Sequence, residues 1–345
     1  MVKIHHNDSL DLRVLLLGSL ASLFILSELS VAFTSSAWHP AKRHRKQTNV
    51  VFSELYASDT PTVPLSPPLS IMTIEEAESR HEMPWKTSID NDGDDSSLLY
   101  MPFWEWQISF IQKNLSNVRA VPCSDPNIHQ HDYHYNENKQ KKARIVNICL
   151  QSDEYRKIRM TYYDAGSKTQ VFNSLWYPRP EYNLPVLGID LLSFNQKKYL
   201  TIVDFQPIQE NEADHACSDY EEKLKSIRKD YKNLQGQMSP RFYDETLFFS
   251  KQMIFGRFDT EKVVHEEVMP AFQRYVQTHY DMVLNTTPDV SSKSTSNVLD
   301  RQAAYDSYSA ERDPATKMFE AMFGVDWSEG FVHDFLFDQS RKDSS

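Results

Sequence analysis

Short apolar runs separated by turn-forming residues characterise the chain from Ala143 to Ile208. Their length and their content of β-branched and aromatic residues are typical of strands. Five runs have this form: ARIVNICLQ, KIRMTYYDAG, TQVFNSLWYP, LPVLGIDLLSF and KKYLTIVDFQPI. The connections DAGSK and NQKK have hairpin length, so successive strands are expected to pair antiparallel as a meander. This region therefore predicts one sheet of five or more strands.

Helical periodicity precedes and follows these strands. The segment MPFWEWQISFIQKNL, which begins at Met101, predicts an amphipathic helix before the sheet. Beyond the sheet, Ser218 and Glu221 form an S-x-x-E capping box at the start of a second helix. The apolar face of that helix comprises Tyr220, Leu224, Ile227 and Tyr231. Further helices are predicted at EEVMPAFQRYVQTHYDMVL, NVLDRQAAYDSYSAER and WSEGFVHDFLF.

The order of these elements predicts the fold class. Helices flank an antiparallel sheet on both sides in sequence, and the strands are apolar on both faces, so both faces need a covering layer. We therefore expect an α/β protein, a three-layer α/β/α sandwich with a central antiparallel sheet. This domain is expected to span residues 99–340.

The N-terminal 98 residues have the character of targeting and linker sequence. An apolar run ends in small residues before Phe33, which predicts a signal peptide over residues 1–32. A Ser/Thr-rich basic stretch follows and then a Pro-, Ser- and Asp-rich one, so residues 33–98 read as a transit peptide and disordered lead-in. This arrangement resembles the bipartite presequence of algae with complex plastids, which predicts the plastid stroma. A single membrane anchor is the alternative.

Charge and cysteine content narrow the function classes. The formal net charge is −11, from 37 basic and 48 acidic residues. General nucleic-acid binding needs a basic footprint and is therefore not expected. An acidic protein partner would need a local basic patch. Cys123, Cys149 and Cys217 are far apart and form no CxxC pair, which argues against a disulfide framework and against a protein-bound iron–sulfur cluster or zinc site.

Common catalytic motifs are absent from the sequence. It contains no GxGxxG, Walker loop, GxSxG or HExxH, so nucleotide binding and the common hydrolase designs lack support. The stretch IHQHDYHY brings together His129, His131 and His134, which could bind a metal. Because the stretch is polar and lies between predicted elements, we interpret it as a solvated loop.

Polar residues inside the apolar strands are the best candidates for chemistry. Asn173 and Asp190 lie on consecutive strands. A carboxylate removed from water must pair with a cation or hold a proton near neutral pH, and the second state is a proton donor. Asp190 could instead point to solvent. Asp313 lies at a helix boundary fixed by Pro314, where a capping or turn role is the alternative to catalysis.

These residues occur in long segments that resemble the ferredoxin-dependent bilin reductases, over about residues 100–338. The segments are VFNSLWYPRPEYNLPVLGIDLLSF, VDFQPI, FFSKQMIFGRF and YDSYSAERDPATKMFEAMFGVDWSEGFVHDFLF. The resemblance implies an α/β/α sandwich that holds an open-chain tetrapyrrole between the sheet and the C-terminal helices. Asp190 would then face the pigment.

The resemblance also implies residue roles. Asp190, in the GID motif, would protonate the bilin, and Asp313, in the DP motif, would assist from the helix side. Asn173 would hydrogen-bond near the pyrrole nitrogens or a lactam oxygen. Arg241 is placed to bind a propionate, with a surface salt bridge as the alternative. The phycocyanobilin-forming branch has Glu and His where this chain has Thr161 and Asn173, so that branch is disfavoured.

The implied reaction needs no cofactor bound to the protein and no metal site. Electrons would come one at a time from reduced [2Fe-2S] ferredoxin, and the substrate would be biliverdin IXα, reduced to 15,16-dihydrobiliverdin on the way to phycoerythrobilin. Because ferredoxin is acidic, we expect a local basic patch near the cleft, with Lys251 and Arg257 as candidates. Channelling of the product to a second bilin reductase is a further expectation. At Asn183 the family often has Asp, which puts a supporting charge there in doubt.

Three alternatives stay open from the sequence. The chain could act later in the same pathway as a phycoerythrobilin:ferredoxin oxidoreductase, or perform both steps as a phycoerythrobilin synthase. It could also be a non-catalytic bilin carrier or attachment chaperone that uses the same pocket. A plastid protein without any ligand is the third alternative.

Overall fold

A single antiparallel sheet organises the protein, for which a computed structural model describes residues 63–64, 88–89, 98–121, 133–211, 214–217, 219–238 and 247–340. The strands are β1 (Val63–Pro64), β2 (Arg119–Ala120), β3 (Tyr133–Asn138), β4 (Ala143–Gln151), β5 (Tyr155–Asp164), β6 (Thr169–Pro178), β7 (Val186–Phe194), β8 (Lys198–Gln206) and β9 (Ile254–Phe258). Their order in the sheet is β1-β2-β4-β5-β6-β7-β8-β9, and β3 also pairs with β4.

The predicted meander is confirmed. Strands β4 to β8 pair consecutively and antiparallel, and the bounds of β4 and β6 coincide with the predicted runs. The three-residue turn between β7 and β8 has positive φ at Asn195 and Gln196, and the backbone N–H of Lys197 donates to the carbonyl oxygen of Phe194 at 3.1 Å, which is the hydrogen bond of a type I′ turn. Strand β9 was not predicted, because Gly256 and Arg257 interrupt its apolar pattern.

The described part of the histidine-rich stretch, from Tyr133, lies in a strand, so its interpretation as a solvated loop is wrong for these residues. His134 lies in β3 and pairs in register with Asn147 of β4. The backbone hydrogen bonds of the ladder order this polar segment although its side chains give no strong strand pattern. His129 and His131 lie outside the described residues. Among the residues that the structure describes, no three His, Cys, Asp or Glu side chains group as a metal site would require.

Besides a three-residue α-helical turn, Glu261–Val263, six longer α-helices complete the described part of the fold: α1 (Met101–Asn114), α2 (Tyr220–Arg228), α3 (Met269–Asn285), α4 (Ser292–Arg312), α5 (Ala315–Phe323) and α6 (Val325–Gly330). A π-helical turn, Val264–Val268, leads into α3, and a second, Phe331–Leu336, continues α6. Helix α5 was not predicted as a separate helix. Gly324 separates α5 from α6 with φ near 98°, a conformation that favours glycine. Ser218 of the predicted capping box lies outside the described residues.

Helices α1 and α3 form the layer on one face of the sheet. Phe172 of β6 packs against Trp104 of α1, with ring centroids 6.2 Å apart, and against Phe272 of α3 at 6.4 Å. Phe103 joins the two helices through a 5.3 Å contact with Phe272. Burial of these large rings contributes to the hydrophobic stabilisation on this side.

The C-terminal helices form the layer on the opposite face. Tyr177 of β6 contacts Tyr305 of α4, and Tyr163 of β5 contacts Phe323 of α5, with centroids 6.0 and 6.4 Å apart. The three-layer α/β/α sandwich is therefore confirmed. Within the described chain, no helix combines the length and apolarity needed to cross a membrane.

Candidate active site

A row of polar side chains crosses four strands on the face beneath the C-terminal helices. Strand register places Asn147, Thr161, Asn173 and Asp190 directly opposite one another on β4, β5, β6 and β7. Directly opposed residues in a ladder project to the same face. Their sequence neighbours, such as Ile189, project to the other face and join the apolar core. The sheet thus separates a polar side from a hydrophobic side.

Asp190 is half-buried at one end of this row. Its Oδ1 accepts a hydrogen bond from Nδ2 of Asn173 at 3.1 Å. Burial raises the pKa of Asp190 from 3.8 to about 7, and the nearby charge of Asp313 contributes in the same direction. The hydrogen bond from Asn173 and the positive charge of Arg159 act against this rise. Near neutral pH the carboxyl group is therefore poised to release or accept a proton.

Asp313 approaches this carboxyl group from the helix layer. It ends α4, and its Oδ1 accepts a hydrogen bond from the backbone N–H of Ala315 at 2.8 Å, so it caps the first turn of α5. Burial raises the pKa of Asp313, while the Ala315 bond and the charge of Arg159 lower it. Asp313 can therefore bond the start of α5 and also act on Asp190. In the structure Asn173 is hydrogen bonded to Asp190, and the charge of Asp313 acts on Asp190. Their roles in a reaction stay predictions.

Two buried cations on β5 were missing from the sequence-based interpretation. Lys157 and Arg159 are 5% and 2% exposed and lie on the polar face, four and two residues before Thr161 respectively. The alternation of polar residues at 157, 159 and 161 with Ile158 and Met160 was the available signal, because period-two alternation marks the two faces of a strand. The hydroxyl group of Thr161 is buried and has no hydrogen-bond partner within the described chain.

Asp204 is a second buried carboxylate on the same face, also missed from the sequence. It lies in the VDFQPI motif of β8, opposite Gly188 of β7, and is fully buried. Both its oxygens accept hydrogen bonds from Ser250, one from the backbone N–H at 2.8 Å and one from the hydroxyl group. Burial raises its pKa to about 7, against the effect of these bonds. These contacts give Asp204 a structural role as the anchor of the loop before β9.

Gly188, in the GID motif, allows close packing of helix α4 on the sheet. A Cβ atom at this position would lie 2.5 Å from Oε1 of Gln206. That same oxygen accepts a hydrogen bond from the hydroxyl group of Tyr305 in α4. Because glycine has no side chain, Gly188 leaves room for Gln206, which links helix α4 to the sheet through Tyr305. This link lies two residues along β7 from Asp190.

The other predicted residues have different positions. Arg241 lies outside the described residues. Lys251 and Arg257 are exposed, and Arg257 shares the face of Asp190 because it pairs with Leu200 of β8. Asn183 has positive φ after a 3-10 turn, and its side chain bonds the carbonyl oxygen of Asp214 and the amide of Gln209. The departure at Asn183 therefore concerns loop structure.

Comparisons with known proteins identify the family. The sequence model of the family described as "Ferredoxin-dependent bilin reductase" matches residues 115–338. Proteins named 15,16-dihydrobiliverdin:ferredoxin oxidoreductase are similar to this chain. The one from Nostoc punctiforme (strain ATCC 29133 / PCC 73102) is 36% identical over 251 residues, which cover 70% of this chain and 96% of the relative. The one from Synechococcus sp. (strain CC9605) is 33% identical and covers 67% and 97%.

A solved structure shares the fold. Phytochromobilin synthase from tomato, in a complex with biliverdin, superimposes with a TM-score of 0.60 at 18% sequence identity, covering 70% of this chain and 83% of that chain. At this identity the likeness supports the fold alone, whereas the family match and the relatives extend over most of the described domain. The chain therefore belongs to the ferredoxin-dependent bilin reductase family.

Proposed function

We propose that this protein reduces biliverdin IXα to 15,16-dihydrobiliverdin with electrons from ferredoxin, in the biosynthesis of phycobilins. Family membership and the names of the relatives support the reaction class and the electron donor. The single observation that carries the chemistry is Asp190, a half-buried carboxyl group with a pKa raised to about 7 on the polar face of the sheet. A group with this pKa is an efficient general acid near neutral pH.

The reaction adds two electrons and two protons to the bilin. Reduced ferredoxin supplies the electrons singly, from a [2Fe-2S] cluster, and the protein supplies protons. Asp190 donates a proton to the pigment, which makes the pigment a better electron acceptor, and Asp313 assists from the helix side. After transfer, the hydrogen bond from Asn173 and the charge of Arg159 stabilise the ionised form of Asp190.

The protein also orients the substrate. The bilin would lie between the polar row of the sheet and the C-terminal helices, with Asn173 near its pyrrole nitrogens or a lactam oxygen. The unpartnered hydroxyl group of Thr161 offers a further hydrogen bond on the same face. We assign Arg241 to a propionate, since a guanidinium group pairs well with a carboxylate. Lys251 and Arg257 would contribute to the docking of acidic ferredoxin.

Anaerobic turnover tests this assignment. The full chain is incubated with biliverdin IXα, ferredoxin and a reductant, and absorption spectra are followed. Reduction at the C15 methine bridge shortens the conjugated system, so a strong shift of absorption to the blue is expected. No change with biliverdin, together with turnover of 15,16-dihydrobiliverdin, would assign the chain to the later step. Reduction past 15,16-dihydrobiliverdin to phycoerythrobilin would assign both steps. Binding without reduction would indicate a carrier.

The cellular context follows from the N-terminal region. We propose that residues 1–32 are a signal peptide, that residues 33–98 are a transit peptide and lead-in, and that residues 99–340 act in the plastid stroma. A fusion of residues 1–98 to a fluorescent protein in an alga with a complex plastid should label the stroma. Label retained in the secretory membranes would favour the single-anchor alternative.

Product transfer is the last element of the proposal. We expect 15,16-dihydrobiliverdin to pass directly to a second bilin reductase. A coupled assay with a trap protein that binds free 15,16-dihydrobiliverdin tests this. Channelling predicts that the trap does not slow the second step, and interception of the product would exclude channelling.

A further inference from the structure

Arg159 is a buried cation without a carboxylate partner. Its side chain is 2% exposed, and within the described part of the chain no carboxylate oxygen lies within 4 Å of its nitrogens. Its Nε donates to the carbonyl oxygen of Leu336 at 3.1 Å, its Nη1 donates to Oδ1 of Asn173 at 2.5 Å, and its guanidinium group lies 5.3 Å from the ring centroid of Phe337. Burial of a charge without a direct counter-ion costs free energy, so packing alone does not explain why Arg159 is buried here.

The contact with Asn173 determines which way that amide points. A guanidinium group can only donate hydrogen bonds, so the amide oxygen of Asn173 must face Arg159. The amide nitrogen then faces Asp190 and donates to its Oδ1. If the Asn173 side chain were reversed, its NH₂ group would face the donors of Arg159, and its oxygen would face Asp190. Arg159 therefore makes Asn173 a donor toward Asp190.

This orientation decides where the proton of neutral Asp190 resides. Oδ1 already accepts a hydrogen bond from Asn173, so Oδ2 is the oxygen that carries the acidic proton. A second effect is electrostatic, because the charge of Arg159 favours the ionised forms of both Asp190 and Asp313. The groups that act on Asp190 are Arg159 from β5, Asn173 from β6 and Asp313 from the end of α4.

We propose that Arg159 is a positioning residue of the proton-donor site, which fixes the amide of Asn173 and thereby places the transferable proton of Asp190 on Oδ2. This inference rests on the proposed role of Asp190. Arg159 itself is held by the C-terminal segment, residues 335–338, through Leu336 and Phe337. The end of the chain therefore contributes to the orientation of the acid on the sheet.

Lys157 provides a matched control for this role. It lies two residues before Arg159 on the same face of β5 and is equally buried. It binds the same C-terminal segment, with Nζ 2.7 Å from the carbonyl oxygen of Phe335 and 2.5 Å from Oδ1 of Asp338. It has no hydrogen bond to Asn173 among the described contacts. Lys157→Met removes an anchor of the segment and leaves the Asn173–Asp190 pair in place.

The pH dependence of single turnover of biliverdin distinguishes positioning from anchoring. For Arg159→Met we expect the rate to fall at least about 10-fold. The rate falls at high pH because Asp190 loses its proton. In Arg159→Met this descending limb of the pH–rate profile should move to higher pH by roughly one unit, because the positive charge of Arg159 is gone. Lys157→Met should lower stability and leave this limb in place. Arg159→Gln, which is also uncharged, should show the same shift and serves if Arg159→Met does not fold.

Equal rate losses in the Arg159 variants and in Lys157→Met, with no displacement of the limb, would overturn the positioning role and leave Arg159 as an anchor. That result would not affect the proposed function, which turnover of biliverdin by the unsubstituted protein tests separately. If the unsubstituted protein did not reduce biliverdin, the proposed function would be wrong. If Asp190→Asn reduced biliverdin at the unsubstituted rate, the role of Asp190 on which this inference rests would be wrong. The two failures are therefore distinguishable.

Discussion

Phe172 and Asn173 are neighbours in strand β6, but they face opposite sides of the sheet and two different environments. Phe172 is fully buried among aromatic rings of α1 and α3. Asn173 is half-buried and belongs to a chain of hydrogen bonds that joins Arg159 to Asp190. The apolar face stabilises the fold through contacts that work at any pH. The polar face holds charges at a cost, and that cost keeps a carboxyl group protonated near neutral pH.

Two carboxyl groups on the polar face differ in how their oxygens are satisfied. Asp204 has both oxygens bonded to Ser250, whereas Asp190 receives one hydrogen bond, from Asn173, among the described residues. The two carboxyl groups have similarly raised pKa values, about 7, caused mainly by burial. A raised pKa alone therefore does not identify the proton donor. Asp190 is identified as the proton donor because its oxygens can accept further hydrogen bonds and because the charge of Asp313 acts on it.

The largest expected effect concerns catalysis on the polar face. Asp190→Asn should lower the rate of biliverdin reduction by about 10²- to 10⁴-fold, because the amide cannot donate the acidic proton. Biliverdin binding, followed by absorption titration, should persist because the shape is kept. Asp204→Asn is the control: it alters a carboxyl group of similar pKa on the same face and should retain most of the turnover. Equal losses in both variants would show that the site tolerates no change of charge and would contradict a special role for Asp190.

The next effect concerns stability on the apolar face. Phe172→Ala should lower the free energy of unfolding by about 3–5 kcal/mol, because it leaves a cavity among Trp104 and Phe272. Denaturant unfolding measures this change. The protein that stays folded should keep the pH profile of turnover, since the polar face is not altered. A displaced profile would show that the two faces are coupled more closely than proposed.

A smaller effect links stability to pH through Asp190. The folded state raises the pKa of this group to about 7, so the folded state binds its proton more tightly than the unfolded chain does. The stability that this group contributes is therefore fully present below pH 4 and declines as pH rises to about 7. Asp190→Asn removes the decline.

The variant and the unsubstituted protein should thus be about equally stable at pH 4. At pH 8 the variant should be more stable by about 1–3 kcal/mol, somewhat below the full linkage value of about 4 kcal/mol because the side chain is partly exposed. Thermal unfolding at the two pH values gives this comparison. If the stability of the variant relative to the unsubstituted protein did not rise between pH 4 and pH 8, burial would not raise the pKa of Asp190.

The smallest effect concerns the exposed rim of the polar face. Arg257→Glu and Lys251→Glu should slow the association with ferredoxin several-fold at low salt, and the difference should shrink as ionic strength rises. Stopped-flow electron transfer over a range of salt concentrations measures this effect. Lys113→Glu, at the exposed end of helix α1 in the layer on the opposite face of the sheet, changes the net charge equally. If it slows association as much, net charge rather than a local patch governs docking.

Local patterns were sufficient to predict much of the fold. The strands β4 to β8 alternate or run apolar and are joined by hairpin-length turns, so their pairing order follows from the sequence. Strand β9 and the strand at His134 were missed because their side chains give a weak pattern, and pairing with β8 and β4 orders them. Propensity is weak where tertiary contacts decide the conformation.

The candidate site was predictable only in part. Asn173 and Asp190 stand out as polar residues within apolar strands. Arg159 did not, because a basic residue in a strand usually points to solvent, and its burial depends on Leu336, which is 177 residues away in the sequence. The bond between Asp204 and Ser250 spans 46 residues and is likewise invisible to local reasoning. Contacts of this kind are set by register and by the docking of the C-terminal helices.

The most direct test is the titration of the Asp190 carboxyl group itself. Infrared difference spectra between the unsubstituted protein and Asp190→Asn, recorded from pH 4 to pH 9, isolate the carbonyl stretch of protonated Asp190. The account predicts that this band is lost with a midpoint near pH 7, and that Asp204→Asn does not change the midpoint. A midpoint near 4, the value of an aspartate in water, would contradict the claim that the fold maintains a proton donor on the polar face of the sheet.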